Sequence, residues 1–344
     1  MVLAMNKHYE TKMNIFKQNI SRILKQIITT MKIPWTLFLM LSACYLTASP
    51  PEISGAERWA MTAENSAYRE ADIQKRLAEM DCLFEPKYTN EVEAYLRAYL
   101  TYGRKDAEDL LGRSVLYFPV FEHYLQLHGL PEQLKYLPMI ESRLHPVATS
   151  TTGAAGLWQF MPATARSLGL QINEYVDERR DPYKSTKAAL QYLSRLYDRF
   201  GTWELTLAAY NCGSARVSRA IRYAGTTDFW EVRKYLPSET RKYVPRFIAA
   251  NYLVNFYHVH GLSPNFPSFD IQWTRTTLVY TQFTFGQIAQ KTGAPISLLY
   301  RLNPAYKKGV IPANPNGNFL ILPEPAMEKF KAWQSDKNPV AHKV

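Results

Sequence analysis

From about residue 85 to 262 the apolar positions recur at three- and four-residue spacing with hardly a break, and no strand-like alternation interrupts them. The clearest stripe is Ala188, Ala189, Tyr192, Leu193, Leu196, Tyr197 and Phe200. Asp181-Pro182 and Ser185 offer it start signals, and Gly201 a stop. Further helical runs are bounded by Gly129-Leu130-Pro131, Gly213-Ser214, Gly225 and Gly261. Pro138 and Pro245 fall inside apparent helices and predict kinks or fresh starts there, because proline has no N–H to donate and its ring crowds the preceding turn. Residues 85–262 therefore read as a mainly α domain.

Ser263-Pro264-Asn265-Phe266-Pro267 breaks the helical run, so residues 263–275 read as a linker. The pattern then changes to a strand at Thr276–Thr281, short helices at Gly286–Thr292 and Ile296–Leu302, and a closing strand at Asn318–Leu322. Residues 276–323 thus form a small α+β unit of βααβ order, near the lower size limit for an independent module. The polar stretch from Glu324 to the end (324–344) reads as a frayed tail, and residues 49–84 as a polar tether with one helix.

With 344 residues, 47% hydrophobic and 13% aromatic, the composition excludes a disordered chain. Three cysteines are too few for a disulfide scaffold or a four-ligand zinc site, and neither a metal nor a cofactor is expected. The formal charge of +11 points at face value to an anionic partner. Position changes that picture: Lys7, Lys12, Lys17, Arg22, Lys25 and Lys32 precede residue 44 with only Glu10 against them, leaving 35 basic and 29 acidic residues, a charge of +6, in the rest. No Arg-rich helix or Gly-rich phosphate loop appears there, which argues against nucleic acid.

The segment from Met31 to Cys44 has one positive charge, then an apolar run too short to span a membrane, which takes about 20 residues, and then small residues. Residues 1–48 accordingly read as an export signal and leader, with Met31 an alternative start. Leu41-Ser42-Ala43-Cys44 resembles the lipobox of bacterial lipoproteins, which implies lipidation of Cys44, a membrane attachment and a periplasmic protein held at the outer membrane. Simple cleavage near Ala48-Ser49 is the other processing route. Cys82 and Cys212 then read as free buried thiols.

The densest candidate chemistry is Ile140-Glu141-Ser142-Arg143-Leu144-His145-Pro146, followed by Ser150 and Gly153-Ala154-Ala155-Gly156-Leu157-Trp158-Gln159-Phe160-Met161-Pro162. Glu141 ends an apolar helix among Leu137, Met139, Ile140 and Leu144. Such surroundings desolvate a carboxyl, raise its pKa and let it hold a proton near neutral pH. The small residues that follow let a loop approach closely and leave room for a ligand. Asp177, Glu178 and Asp181 offer a second acid, but the interleaved Arg179 and Arg180 suggest local ion pairs, and Asp181 before Pro182 suits a helix N-cap.

Glu141-Ser142, Gly156-Leu157-Trp158-Gln159, Ala209-Tyr210-Asn211 and Tyr243-Val244-Pro245 together resemble the motifs of the soluble lytic transglycosylase domain, a relative of goose-type lysozyme, in the family's order and at compatible spacing. The subgroup they resemble is membrane-bound lytic transglycosylase D. The resemblance implies a lysozyme-like fold over residues 85–262 and peptidoglycan glycan strands as the partner. It implies cleavage of the β-1,4 bond between N-acetylmuramic acid and N-acetylglucosamine, with formation of 1,6-anhydromuramoyl ends. Glu141 would be the acid and then the base, and Ser150, Gln159, Tyr210, Asn211 and Tyr243 would hold the substrate. An ordinary glycosidase uses two carboxylates, whereas a single-acid site must draw its nucleophile from the substrate. A lysozyme-like hydrolase of the same bond and a non-catalytic wall binder stay open as alternatives.

Residues 276–323 resemble a LysM module through the first strand, Phe285-Gly286-Gln287-Ile288-Ala289, Leu298-Leu299-Tyr300-Arg301-Leu302-Asn303-Pro304 and Leu320-Ile321-Leu322-Pro323. Where that family shows Gly-Asp-Thr, this chain has Thr281-Gln282-Phe283-Thr284. Two roles stay open for it: a glycan binder, or a divergent module that packs on the catalytic domain.

Overall fold

The computed structural model describes residues 69–337, so the export segment with Cys44, most of the tether and the last residues of the tail lie outside the described part. The first helices are α1 (Glu70–Glu79), α2 (Asn90–Leu100), α3 (Arg104–His128), α4 (Leu137–Ser142) and α5 (Pro162–Ser167). They are followed by α6 (Pro182–Phe200), α7 (Trp203–Cys212), α8 (Ser214–Ala224), α9 (Phe229–Val232), α10 (Ser238–Arg241), α11 (Tyr243–Phe256) and α12 (Phe269–Gln272). The C-terminal module comprises β1 (Thr274–Val279), β2 (Phe283–Thr284), α13 (Phe285–Thr292), α14 (Ile296–Leu302), β3 (Val310–Ile311), β4 (Asn318–Pro323) and α15 (Glu324–Lys337). No helix among the described residues is long and apolar enough to cross a membrane.

Helix α6 starts and stops where the sequence signals lie. The Asp181 carboxylate accepts the N–H groups of Tyr183 and Lys184 at 2.8 and 2.9 Å, and Gly201 closes the helix in the left-handed conformation. Pro138 and Pro245 begin helices: Pro138 is the second residue of α4 and Pro245 the third of α11, where a missing N–H costs nothing. Pro119, by contrast, lies inside the 25-residue α3, where its missing N–H and ring work against the helix, and the helix buries Phe121 and Leu125 just beyond it. Helix α11 is apolar nearly all round and runs through the centre, packing on α2, α7 and α4.

Two segments differ from expectation. The tether carries α1, whose Ile73 and Leu77 are fully buried in the main core together with Met80, so this part packs on the domain. The expected frayed tail is instead α15 as far as Lys337: Ala326, Met327 and Phe330 lie on one face and close the module's own core, with Phe330 edge-on to Phe283 at 5.3 Å. The sparse apolar spacing within a polar segment concealed it. In the module β1 pairs antiparallel with β4, from Thr274 opposite Pro323 to Val279 opposite Asn318. A second short pair, Phe283–Thr284 with Val310–Ile311, was not anticipated. Cys82 and Cys212 are free and half-buried, and burial pushes both thiols up.

Candidate active site

Glu141 is the fifth residue of the one-and-a-half-turn α4, and the chain leaves that helix by an unusual route. Arg143 and Leu144 both adopt positive φ, 52° and 60°, a conformation costing roughly 1–2 kcal/mol per non-glycine residue. The turn is held by the Arg113 Nε donating to the Arg143 carbonyl at 2.9 Å and by full burial of Leu144. The buried Ser142 hydroxyl lies 2.9 Å from the Leu157 carbonyl, tying the acid's helix to the loop that follows.

That loop, residues 148–160, is a small bridged structure. Thr149 bridges Ala155, and Ala155 exchanges hydrogen bonds with Phe160 at 3.1 and 3.2 Å. Trp158 anchors it from below: its ring is fully buried, edge-on to Phe121 at 5.3 Å, and its Nε1 donates to the Thr186 hydroxyl at 3.0 Å. Gly156 has φ 86°, and a Cβ there would stand 1.8 Å from the Arg179 carbonyl oxygen, so only glycine fits. Gln159 is held at φ 48°, with its side-chain amide on the Gly156 carbonyl at 2.9 Å. Ser150 accepts the Ala154 N–H at 3.0 Å and lies 2.9 Å from the Thr152 hydroxyl.

The opposite wall comes from α7 and α11. Tyr243, the first residue of α11, donates its hydroxyl to Glu141 Oε1. Tyr210 donates to the Trp158 carbonyl at 2.7 Å, and Asn211 Oδ1 accepts the Thr240 hydroxyl at 2.7 Å. Glu141 is surrounded by protein on most sides without being sealed, and desolvation pushes its carboxyl up to about 7. The Tyr243 hydrogen bond acts in the other direction, the charge of Glu239 adds to the rise, and Arg246 opposes it. Tyr210 and Tyr243 are held well above the ordinary phenol value, first by burial and then by Glu141. Both stay neutral and able to donate.

The structure thus brings Glu141, Tyr210 and Tyr243 into one electrostatic cluster, and joins Gln159 and Asn211 to it through Trp158 and Tyr210. Ser150 belongs to the same loop but bonds within it. Asp177, Glu178 and Asp181 are engaged elsewhere: Asp177 with Arg179, Glu178 with Lys184 at 2.6 Å and with the Gln171 N–H at 2.7 Å, Asp181 as the α6 cap. Burial raises the Asp181 carboxyl to about 6, which suits a desolvated cap. Sequence reasoning missed Glu239 and Arg246 as the charges that tune Glu141, and Arg179 as a support of the loop. The only signal for the first two was their place on either side of the Tyr243-Val244-Pro245 stretch.

A cleft of about 400 Å³ that Glu141 does not line lies between α3, the linker and the C-terminal module, with Arg113, Tyr117, His145, Tyr183, Phe266 and Arg301 on its walls.

Residues 119–233 match the family described as Transglycosylase SLT domain, and residues 274–338 match the lytic transglycosylase MltD LysM-like domain. The chain is similar to membrane-bound lytic murein transglycosylase D of Escherichia coli K12, with 33% identity over 266 residues, 76% of this chain and 56% of that protein. It is also similar to the soluble lytic murein transglycosylase of Escherichia coli K12, with 30% identity over 141 residues, 39% of this chain and 22% of that protein. The crystal structure of the 70 kDa soluble lytic transglycosylase of Escherichia coli aligns with 27% identity and a TM-score of 0.36, covering 44% of this chain and 26% of that one. The chain therefore spans little more than half the length of the type D relative. It carries a transglycosylase SLT domain over residues 119–233 and a LysM-like domain of the lytic transglycosylase MltD type over residues 274–338.

Proposed function

We propose that this protein is a peptidoglycan lytic transglycosylase that cleaves the β-1,4 bond between N-acetylmuramic acid and N-acetylglucosamine and leaves 1,6-anhydromuramoyl ends. The observation that carries the reading is Glu141: a carboxyl raised to about 7 and bonded by a neutral Tyr243 is half-protonated near neutrality. A group so poised can give a proton and take one back in the same turnover. The SLT match over residues 119–233 and the names of the relatives support the substrate class.

In this scheme Glu141 gives its proton to the glycosidic oxygen, which leaves as the 4-hydroxyl of N-acetylglucosamine. The muramoyl N-acetyl oxygen assists at C1. The resulting Glu141 carboxylate, stabilised by the Tyr243 hydroxyl, takes the proton of the muramoyl 6-hydroxyl as O6 bonds to C1. No water is consumed and Glu141 ends protonated. Ser150, Gln159, Tyr210, Asn211 and Tyr243 are the substrate-binding set, with the Tyr210 and Tyr243 hydroxyls and the Gln159 and Asn211 amides supplying fixed donors and acceptors for sugar hydroxyls and acetamido groups.

The reading places the protein in the periplasm, since residues 31–44 have the pattern of an export signal ending in a lipidation cysteine, Cys44, and the type D relative is named membrane-bound. The test is incubation of the purified protein with peptidoglycan sacculi and mass analysis of the released muropeptides. Anhydro ends are expected. Reducing ends would identify a hydrolase, and binding without release a wall-binding protein.

A further inference from the structure

Residues 175–177 leave the catalytic domain's surface and pair with the module. The Asp177 N–H donates to the Ala305 carbonyl and the Lys307 N–H to the Tyr175 carbonyl, both at 2.9 Å, with Val176 bridging Tyr306. Val176 is 2% exposed and packs in the module's core with Phe285, Tyr306 and Leu320, not in the catalytic core. Side chains extend the contact: Tyr183 stacks on Phe319 at 4.8 Å and lies 2.6 Å from the Thr276 hydroxyl, and Lys184 reaches Asn318 at 3.1 Å.

The last of these three residues, Asp177, is also the footing of Arg179. Asp177 takes the guanidinium in a fork, Nε at 2.9 Å and one terminal nitrogen at 2.8 Å. The other terminal nitrogen donates to the carbonyls of Gly153 and Phe160, at 2.7 and 3.1 Å, on the two sides of the active-site loop. Arg179 is 7% exposed and Asp177 4%. A buried charge pair is a weak source of net stability, but a planar fork with four acceptors fixes geometry in a way that a flexible ammonium cannot. One unbroken path runs from the module's Ala305 carbonyl through the Asp177 backbone, its carboxylate and Arg179 to the backbone that carries Ser150 and Gln159.

We propose that the LysM-like module is a brace for the substrate loop, and that Arg179 is the positioning residue through which its docking is felt at the site. Its effect on turnover rests on the transglycosylase reading; its effect on the loop does not.

The test uses the full chain in five forms: wild type, Arg179→Lys, Arg179→Met, Lys307→Pro, which deletes the N–H bonded to Tyr175, and Lys307→Ala, which keeps it. Amide exchange of Ala155, Gly156 and Phe160, all bonded within the loop, is expected to quicken at least tenfold in Arg179→Lys and Lys307→Pro and to stay unchanged in Lys307→Ala. On soluble glycan strands the first two are expected to raise KM roughly tenfold, with the pH profile of kcat, which reports Glu141, unmoved. Arg179→Met should be worse than Arg179→Lys, since lysine retains the charge and one bond. Unchanged loop exchange in Arg179→Lys, or in Lys307→Pro with the β1–β4 amides still protected, overturns the brace. Should Lys307→Pro unfold the module, the brace is lost with it: loop exchange at least tenfold faster is then still expected, and exchange at the wild-type rate overturns the proposal. A wild-type protein without activity on glycan would sink the transglycosylase reading while the exchange result still stood on its own.

Discussion

Tyr243 donates its hydroxyl to Glu141 from a position 102 residues further along the chain, across the junction of α11 and α4. The bond favours the ionised form of the acid, the form that the proposed scheme calls for between proton donation and recovery. Tyr243→Phe removes the donor without opening a large cavity. We expect the carboxyl to rise further above about 7 and kcat to fall roughly tenfold or more, as for a lost hydrogen bond to a charged group worth about 1.5–3 kcal/mol. Rates measured across pH 5–9 would check both; an unchanged basic limb would show that the bond does not reach the reacting state.

Glu141→Gln is expected to abolish release of muropeptides while leaving sacculus binding intact, because the amide fills the same space but carries no transferable proton. Retained turnover would mean that the acid lies elsewhere.

The same variant makes a prediction about stability. The folded-state value of Glu141 is raised, from 4.5 to about 7, so its contribution to stability is fully present below about pH 4.5 and is lost as pH rises through 7. Replacement by glutamine removes that loss, and Glu141→Gln should exceed wild type by up to about 3 kcal/mol at pH 8 and by little at pH 5. Urea unfolding at the two pH values measures the difference.

Glu239 raises the Glu141 carboxyl by its charge. Glu239→Gln removes that charge, so the fall of activity expected near pH 7 for the wild type should begin at lower pH in the variant. A basic limb that moves upward, or stays put at low salt, contradicts the assignment.

Gly156→Ala should destabilise the fold by about 2–4 kcal/mol and suppress activity, since the new methyl group meets the Arg179 carbonyl at 1.8 Å and the residue must hold φ 86°. Thermal unfolding with a parallel activity assay checks it.

Helix α6 was legible with both ends, because Asp181 and Gly201 act through local backbone chemistry that needs no tertiary context. The same holds for the fresh starts at Pro138 and Pro245. Glu141 stood out because its apolar neighbours are adjacent in sequence and its motif resembles a known one. What was not legible depends on distant partners. The local pairing of Arg179 with Asp177 was within reach of the sequence, but its two backbone acceptors lie 19 and 26 residues away on a loop whose closure no periodicity reports. Pro119 inside α3 runs against the local rule on a helix whose buried face comes from distant packing, and α15 carries too few apolar residues to register before its partner Phe283 is in place.

The linker was expected to be a break between domains, yet it is strapped to α3. The Asn265 N–H donates to the Glu108 carbonyl at 2.9 Å, its side-chain amide to Asp109 at 2.7 Å, and the Ser263 N–H to the Glu108 carboxylate at 3.0 Å. The crossing is so close that a Cβ on Gly112 would stand 1.7 Å from the Asn265 oxygen. A flexible tether gives a binding module a search volume, and avidity follows from the range of spans it can bridge. A strapped one has a single span. A sugar held by the module from this position would lie at one fixed distance along a strand from Glu141, so under the proposed function the pair would measure the polymer and could not graze over neighbouring strands.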